Sequence, residues 1–322
     1  MKHLTVLFLA VGFVVGACSA TSGGLGTIPP ARSADPSVAV GSPDLTPEPT
    51  TDPSTDPGTS PGASPDGSPA PTQAGGTTIV RAYFFLAGTE GTAGLVPVLR
   101  EIPSTKAVAT AAVAALLDGP NAHERDADPA ISTVIPSGTE LLDLTIKDGI
   151  ATVDLSSEFQ SGGGSSSVLG RLAQVVYTLT QFPTVKSVLF EVDGQPVKAF
   201  GGEGAALDKP VDRADYVDQL PVIFADRPAW GAGFGNPGRV AGNADVFEAQ
   251  FNVTLIDGTG HKLFDGPAHA TCGTGCRGTF DFTVPYNVSK AQWGTLRLWD
   301  ASEMDGSPQL IRDYPVWLTP AG

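Results

Sequence analysis

The sequence predicts two folded domains behind a disordered tether: an α+β domain built on a mixed sheet with two helices, then an all-β sandwich. Three observations carry this. Between about residues 78 and 220, strand-like and helix-like apolar periodicities alternate; from 221 to 322 only strand alternation persists; from 18 to 77 there is neither. The chain of 322 residues is long enough for two domains of roughly 150 residues each. Its hydrophobic fraction of 41% supports real cores, while 39 Gly and 28 Pro point to many turns.

The chain opens with an export signal over residues 1–17. Lys2 is a short basic start, Leu4 to Val15 is an uncharged apolar run, and Gly16 and Ala17 lead to Cys18. The run is too short to span a bilayer comfortably, which favours a cleaved signal. Val15-Gly16-Ala17-Cys18 resembles the lipobox of bacterial lipoproteins. That resemblance implies a diacylglycerol on the Cys18 thiol, with cleavage leaving Cys18 first. At about 0.8 kcal/mol per buried methylene, two acyl chains hold a protein at a membrane without a spanning helix. From Ser19 to Thr77 there is no aromatic residue, and twelve of the 28 prolines fall here. Such a segment cannot bury enough apolar surface to offset its ordering entropy. It is expected to be a spacer reaching between roughly 45 Å as a coil and roughly 180 Å extended.

In the first domain, Ile79–Leu86 is a near-continuous apolar run suited to a buried strand. Leu95–Ile102 is a second strand, and Pro97 assigns it to a sheet edge. A helix is expected over 106–118, capped by Ser104 or Thr105, with Val108, Ala112, Ala115 and Leu116 on one face and Gly119-Pro120 as its stop. Residues 141–155 read as a hairpin about Asp148-Gly149, pairing Ile146 with Ala151, Leu144 with Val153 and Leu142 with Leu155. Its other face opposes Asp143 to Asp154, either a wet sheet surface or a weak oxygen-ligated cation site. Residues 161–167 form a Gly/Ser loop before a second helix over 168–181, whose Leu169, Leu172, Val176 and Leu179 make an apolar stripe. A Gly-rich entry to a helix can cradle an anion, but no Lys follows as in a P-loop. Val185–Val192 is a further strand.

In the second domain Phe247, Ala249, Phe251, Val253 and Leu255 alternate with polar residues and end at Asp257-Gly258. Phe280, Phe282 and Val284, then Leu296 and Leu298, then Val316 and Leu318 repeat the pattern, as in an antiparallel sandwich. Cys272 and Cys276 are expected to form a local disulfide in an exported chain; zinc held by both with His261 and His269 is the alternative. Trp230, Trp293, Trp299 and Trp317 all lie in this domain, either filling its core or exposed to stack on sugar rings.

Residues 116–120 (LLDGP), 135–139 (IPSGT), 149–156 (GIATVDLS), 174–183 (QVVYTLTQFP), the 185–194 strand-turn and 213–216 (RADY) resemble the GerMN domain of sporulation and germination proteins, in that family's order. Residues 239–248 (RVAGNADVFE), 255–260 (LIDGTG) and 299–306 (WDASEMDG) resemble the immunoglobulin-like domain of bacterial spore-germination proteins. The pairing implies a cell-envelope module, often on lipoproteins, without catalytic residues to carry over. The expected organisation is signal 1–17, tether 18–77, GerMN-like domain 78–220 and immunoglobulin-like domain 221–322.

Nineteen basic against 34 acidic residues leave a net charge of −15, which excludes nucleic-acid binding by bulk charge. Four His and three Cys leave few groups for nucleophilic or base chemistry. No catalytic, cofactor or metal residue is expected. The sequence points to a lipid-anchored, non-catalytic protein on the outer face of the cytoplasmic membrane that binds peptidoglycan or an envelope partner. A ligand-sensing regulator is the alternative, and a peptidoglycan-acting enzyme a more distant one. Cys18→Ala should release the protein from the membrane fraction or leave its signal uncleaved; retention with unchanged acylation, read by fractionation and mass spectrometry, would refute the lipobox.

Overall fold

The computed structural model describes residues 76–200 and 206–321; the expected signal, Cys18 and all but the last two residues of the expected tether lie outside them. Strands β1 (Thr77–Leu86) and β2 (Gly94–Pro103) pair antiparallel along their full length, with the two-residue β3 (Ile131–Ser132) on the other side of β1. Pro97 thus sits in an edge strand, where its missing N–H costs no ladder bond. Helix α1 (Val108–Leu117) lies between β2 and β3 in sequence, and a one-turn helix α2 (Ala122–Arg125) follows it. No side chain caps the first amides of α1: the Thr105 hydroxyl accepts only from the Ala107 N–H, one residue early. Gly119 ends the helix at φ +78°, donating to Leu116.

A second sheet has the order β4-β5-β6-β7, from β4 (Leu141–Lys147), β5 (Ile150–Leu155), β6 (Ser187–Val192) and β7 (Gln195–Pro196). It is mixed, because α3 (Ser165–Leu179) carries the chain from β5 to the parallel β6. The β4–β5 hairpin turns at Asp148-Gly149 with Ile146 opposite Ala151 and Leu144 opposite Val153. Beyond Asp143 the register shifts: Leu141, not Leu142, opposes Leu155, and Leu142 is exposed. One extra residue in an edge strand makes a bulge, which period-two counting cannot foresee.

Helix α3 differs most from its expected stripe. Leu172, Val176 and Leu179 are fully buried, but so are Arg171, Gln174 and Thr178, whereas Leu169 is only partly covered. The helix packs on β1, β6, α1 and the 3₁₀ turn at Arg213–Gln219, so it has almost no solvent face. Its polar residues are absorbed by hydrogen bonds: Gln174 donates to the Tyr83 carbonyl at 2.9 Å and accepts from Val134, and the Thr178 hydroxyl accepts from Tyr83 N–H.

The second domain is a sandwich of a three-stranded sheet, β13-β10-β8, and a five-stranded sheet, β12-β11-β14-β15-β9. The strands are β8 (Ile223–Arg227), β9 (Gly233–Phe234), β10 (Gly238–Ala244), β11 (Gln250–Asp257), β12 (Lys262–His269), β13 (Gly278–Val284), β14 (Gln292–Ala301) and β15 (Pro308–Leu318). Phe247 and Ala249, expected in a strand, form a short 3₁₀ turn; Glu248 and Ala249 take φ of 51° and 58°, and Phe247 is half exposed. That left-handed backbone breaks the pleat one residue before β11 begins.

One apolar cluster runs through both domains, from Tyr83 and Leu172 to Phe251, Tyr314 and Leu318. Polar contacts lock the seam. Arg312, buried on β15, donates to the carbonyls of Thr92, Gly94 (3.3 Å) and Leu95 (2.8 Å) in the first domain and to its neighbour Tyr314 Oη (2.9 Å). Gly94 permits the approach: a Cβ there would meet Pro221 N at 2.7 Å. Trp230 N–H donates to Pro97 O at 2.9 Å, extending the β2 edge, and Val222 N–H donates to Gly91 O at 2.8 Å. Tyr83 donates to Asp226 and accepts from Arg213, which also donates to Thr180 and Tyr177. Burial, then the Asp226 charge, pushes the Tyr83 phenol far above its ordinary range, so it stays a donor.

Among the described residues no helix is long and apolar enough to cross a membrane. Arg312→Met keeps bulk at the seam but leaves buried carbonyls unpaired. It should lower unfolding stability by about 2–4 kcal/mol in urea denaturation, against less than about 1 kcal/mol for Arg297→Met at the more exposed Arg297–Asp313 pair. Equal losses would sink the assignment of Arg312 as the seam's anchor.

Candidate functional site between the two domains

Parity along β14 and β15 decides which tryptophans face water. Gly294, Leu296 and Leu298 point inward opposite Val316, Tyr314 and Arg312, so Trp293 and Trp317 point outward. They are cross-strand partners with ring centroids 5.2 Å apart and a near edge-to-face tilt, and they remain 52% and 38% exposed. Two large aromatic rings left this open offer an apolar platform. Trp299 lies on the same outer face but is half-covered, its indole N–H donating to Thr254 Oγ1 at 3.1 Å. Trp230 is buried, held over the seam by its backbone bond to Pro97.

Trp293 and Trp230 line a cleft of about 700 Å³, within the usual range of small-ligand sites. The first domain contributes Val98, Leu99, His123, Glu124, Ala127 and Asp128; the second adds Asp257, Gly258, Thr295 and Pro315. The His123 ring lies 5.9 Å from that of Trp230. Glu124 is buried and held by both Arg100 terminal nitrogens at 2.7 Å, while also closing a capping box with Asn121. Asp257 accepts from the Thr259 hydroxyl, the Thr259 N–H and the His261 N–H, and these bonds hold its carboxyl below the usual carboxylate range. The cleft therefore combines an aromatic wall, one exposed imidazole and carboxylates fixed in orientation.

The other candidate residues do not gather here. His261 precedes β12 and His269 ends it, about 26 Å apart along an extended strand, so they do not join one zinc site with Cys272 and Cys276. Among the described residues no three His, Cys, Asp or Glu side chains converge as a metal would require. Asp154 opposes Asp143, but it is buried and accepts from Gly194 N–H at 3.0 Å, whereas Asp143 is exposed. In the Gly/Ser loop, the carbonyls of Phe159, Ser161 and Gly162 turn onto Arg171 at 2.6, 2.9 and 2.8 Å. A loop that presents carbonyls to a buried cation does not cradle an anion. His123, Asp128 and Asp257 were not singled out as binding residues by the sequence; only the outward parity of Trp293 was a readable signal.

Residues 81–198 match the family described as "Sporulation and spore germination", and residues 222–307 match the "Immunoglobulin-like domain of bacterial spore germination". Residues 81–198 thus form a GerMN-type domain, and residues 222–307 an immunoglobulin-like domain of the spore-germination type. The first GerMN domain of the sporulation protein GerM from Bacillus subtilis is similar at 22% identity, over 43% of this chain and 99% of that one, with a TM-score of 0.36. The tandem GerMN domains of the same protein are similar at 15% identity, over 65% and 62% of the two chains, also with a TM-score of 0.36. No curated protein matches the chain.

The cleft thus lies at the seam of the GerMN-type and immunoglobulin-like domains. In the latter, Cys272 and Cys276 sit at disulfide-bonding distance with Cα atoms 5.8 Å apart. Thiol titration of residues 76–322, unfolded without reductant, should find no free thiol. Cys272→Ser should cost about 2 kcal/mol through the short closed loop; two reactive thiols would remove the bond.

Proposed function

We propose that this GerMN-type protein is a lipid-anchored, non-catalytic binding protein of the cell envelope whose interdomain cleft takes a wall saccharide. The observation that carries this reading is Trp293, half-open to water in the lining of a cleft whose carboxylates are already oriented, with the exposed Trp317 ring packed beside it. A sugar ring presents an apolar C–H face and a rim of hydroxyls. An indole covers the first, and fixed carboxylates and the His123 imidazole accept from or donate to the second. The same carboxylates argue against hydrolysis. Glu124 is neutralised by Arg100, and three donors on one oxygen of Asp257 favour its ionised form while leaving its other oxygen to accept, so neither is poised as a general acid. Attachment through Cys18, a position outside the cytoplasmic membrane, a peptidoglycan partner and the Cys272–Cys276 disulfide all belong to this proposal.

The test is co-sedimentation of the purified protein with peptidoglycan sacculi. Saturable binding at micromolar protein is expected, weakened about tenfold or more by Trp293→Ala, a loss of about 1.4 kcal/mol or more. Stability should fall by no more than about 1 kcal/mol, the loss of one half-exposed cross-strand aromatic pair. Absent binding, or binding that both Trp293→Ala and Trp317→Ala leave intact, would refute the saccharide cleft.

A further inference from the structure

The segment Pro228–Gly233 divides two clefts. Trp230 and Gly231 line the aromatic one, whereas Pro228, Ala229 and Ala232 line a second cleft of about 480 Å³. The charged residues of this second lining are Arg81 from β1, Arg227 at the end of β8 and Arg239 from β10, with no Asp or Glu among them. In a chain of net charge −15, a lining whose charged residues are all arginine is a local inversion of sign.

The arginines elsewhere show why these stand out. Of the ten among the described residues, Arg100, Arg213, Arg239 and Arg297 pair with carboxylates. Arg125, Arg171, Arg277 and Arg312 donate to backbone carbonyls. Arg81 and Arg227 alone have no side-chain acceptor among the described residues, and both line this cleft. The Arg81 Nε is shut off from solvent and unpartnered, a donor whose missing bond is costly unless something supplies an acceptor. Gln181 fixes the strand beneath it, accepting from Arg81 N–H at 2.8 Å and donating to its carbonyl at 2.7 Å. Arg239 is forked onto Asp281, but that pair is more than half exposed and so is easily exchanged.

We infer that this arginine cleft binds a phosphate-type oxyanion, as a free phosphate or a phosphate ester. A carboxylate satisfies one guanidinium fork in one plane. A tetrahedral phosphate directs oxygens to several sides and carries more charge, which suits guanidinium groups arriving from three separate strands. The site is independent of the saccharide reading, since neither Trp293 nor Trp317 borders it.

Calorimetric titration of the purified full chain at low ionic strength tests this with inorganic phosphate, glycerol phosphate and acetate. Saturable one-to-one binding of phosphate is expected, with acetate at least about tenfold weaker. Tighter binding of glycerol phosphate than of inorganic phosphate would identify the ester as the preferred source, and the reverse the free ion. Arg81→Gln and Arg227→Gln should each weaken phosphate about tenfold or more. Arg227 is exposed, so its variant keeps the test valid if Arg81→Gln misfolds. Lys290→Gln, at an exposed lysine outside the cleft, should leave binding unchanged. No saturation, equal affinity for acetate, or equal weakening by Lys290→Gln would overturn the inference.

Discussion

The guanidinium of Arg312 is the constraint on which the arrangement depends. It sits buried on an inward position of β15 with no carboxylate beside it, and its charge is dispersed over three backbone carbonyls of the neighbouring domain. A buried cation solvated in this way tolerates little displacement, because each lost carbonyl leaves both partners unsatisfied in a low-dielectric setting. The bonds fix the β1–β2 connection against the sandwich, Gly94 supplies the room, and the Trp230 contact with Pro97 closes the β2 edge. Two clefts of definite shape on either side of Pro228–Gly233 are the consequence.

Arg171 applies the same chemistry within the first domain. It gathers the carbonyls of the Gly/Ser loop, which gives that loop a structural reason for its sequence: glycines at φ of +61° and +80° let the backbone curl its carbonyls onto a cation. Arginine serves three ends in this protein: anchoring backbone in the interior, orienting carboxylates such as Glu124, and lining the second cleft. The last is conspicuous because the remaining charge is so strongly acidic. An acidic surface keeps polyanions off in general, and against it a lining whose charges are all positive is a local exception.

The element pattern was legible wherever packing is one-sided. The β4–β5 hairpin, the edge position of Pro97 and the stop at Gly119 follow from period-two alternation and turn chemistry, which are local. Departures occur where a neighbour overrides the local rule. Helix α3 is enclosed by two sheets and a 3₁₀ turn, so Gln174 and Thr178 are as buried as its leucines and no stripe survives. Leu142 is displaced by a bulge, and Phe247 is turned out by left-handed backbone at Glu248 and Ala249. The outward direction of Trp293 was readable from the inward run of Leu296 and Leu298. That His123, 170 residues earlier, shares its cleft was not.

The two kinds of domain, their order, their resemblance to germination modules and the acidic balance all follow from periodicity, turn residues and composition, which act over a few neighbouring positions. The tertiary structure decided which arginines find acceptors and which do not. It also decided that Trp293 and Trp230 flank one cleft, and that the two domains share one core rather than hanging from a linker. Those outcomes depend on contacts between residues far apart in the chain, such as Arg312 with Leu95 and Tyr83 with Asp226, where the geometry of the whole seam selects the partner.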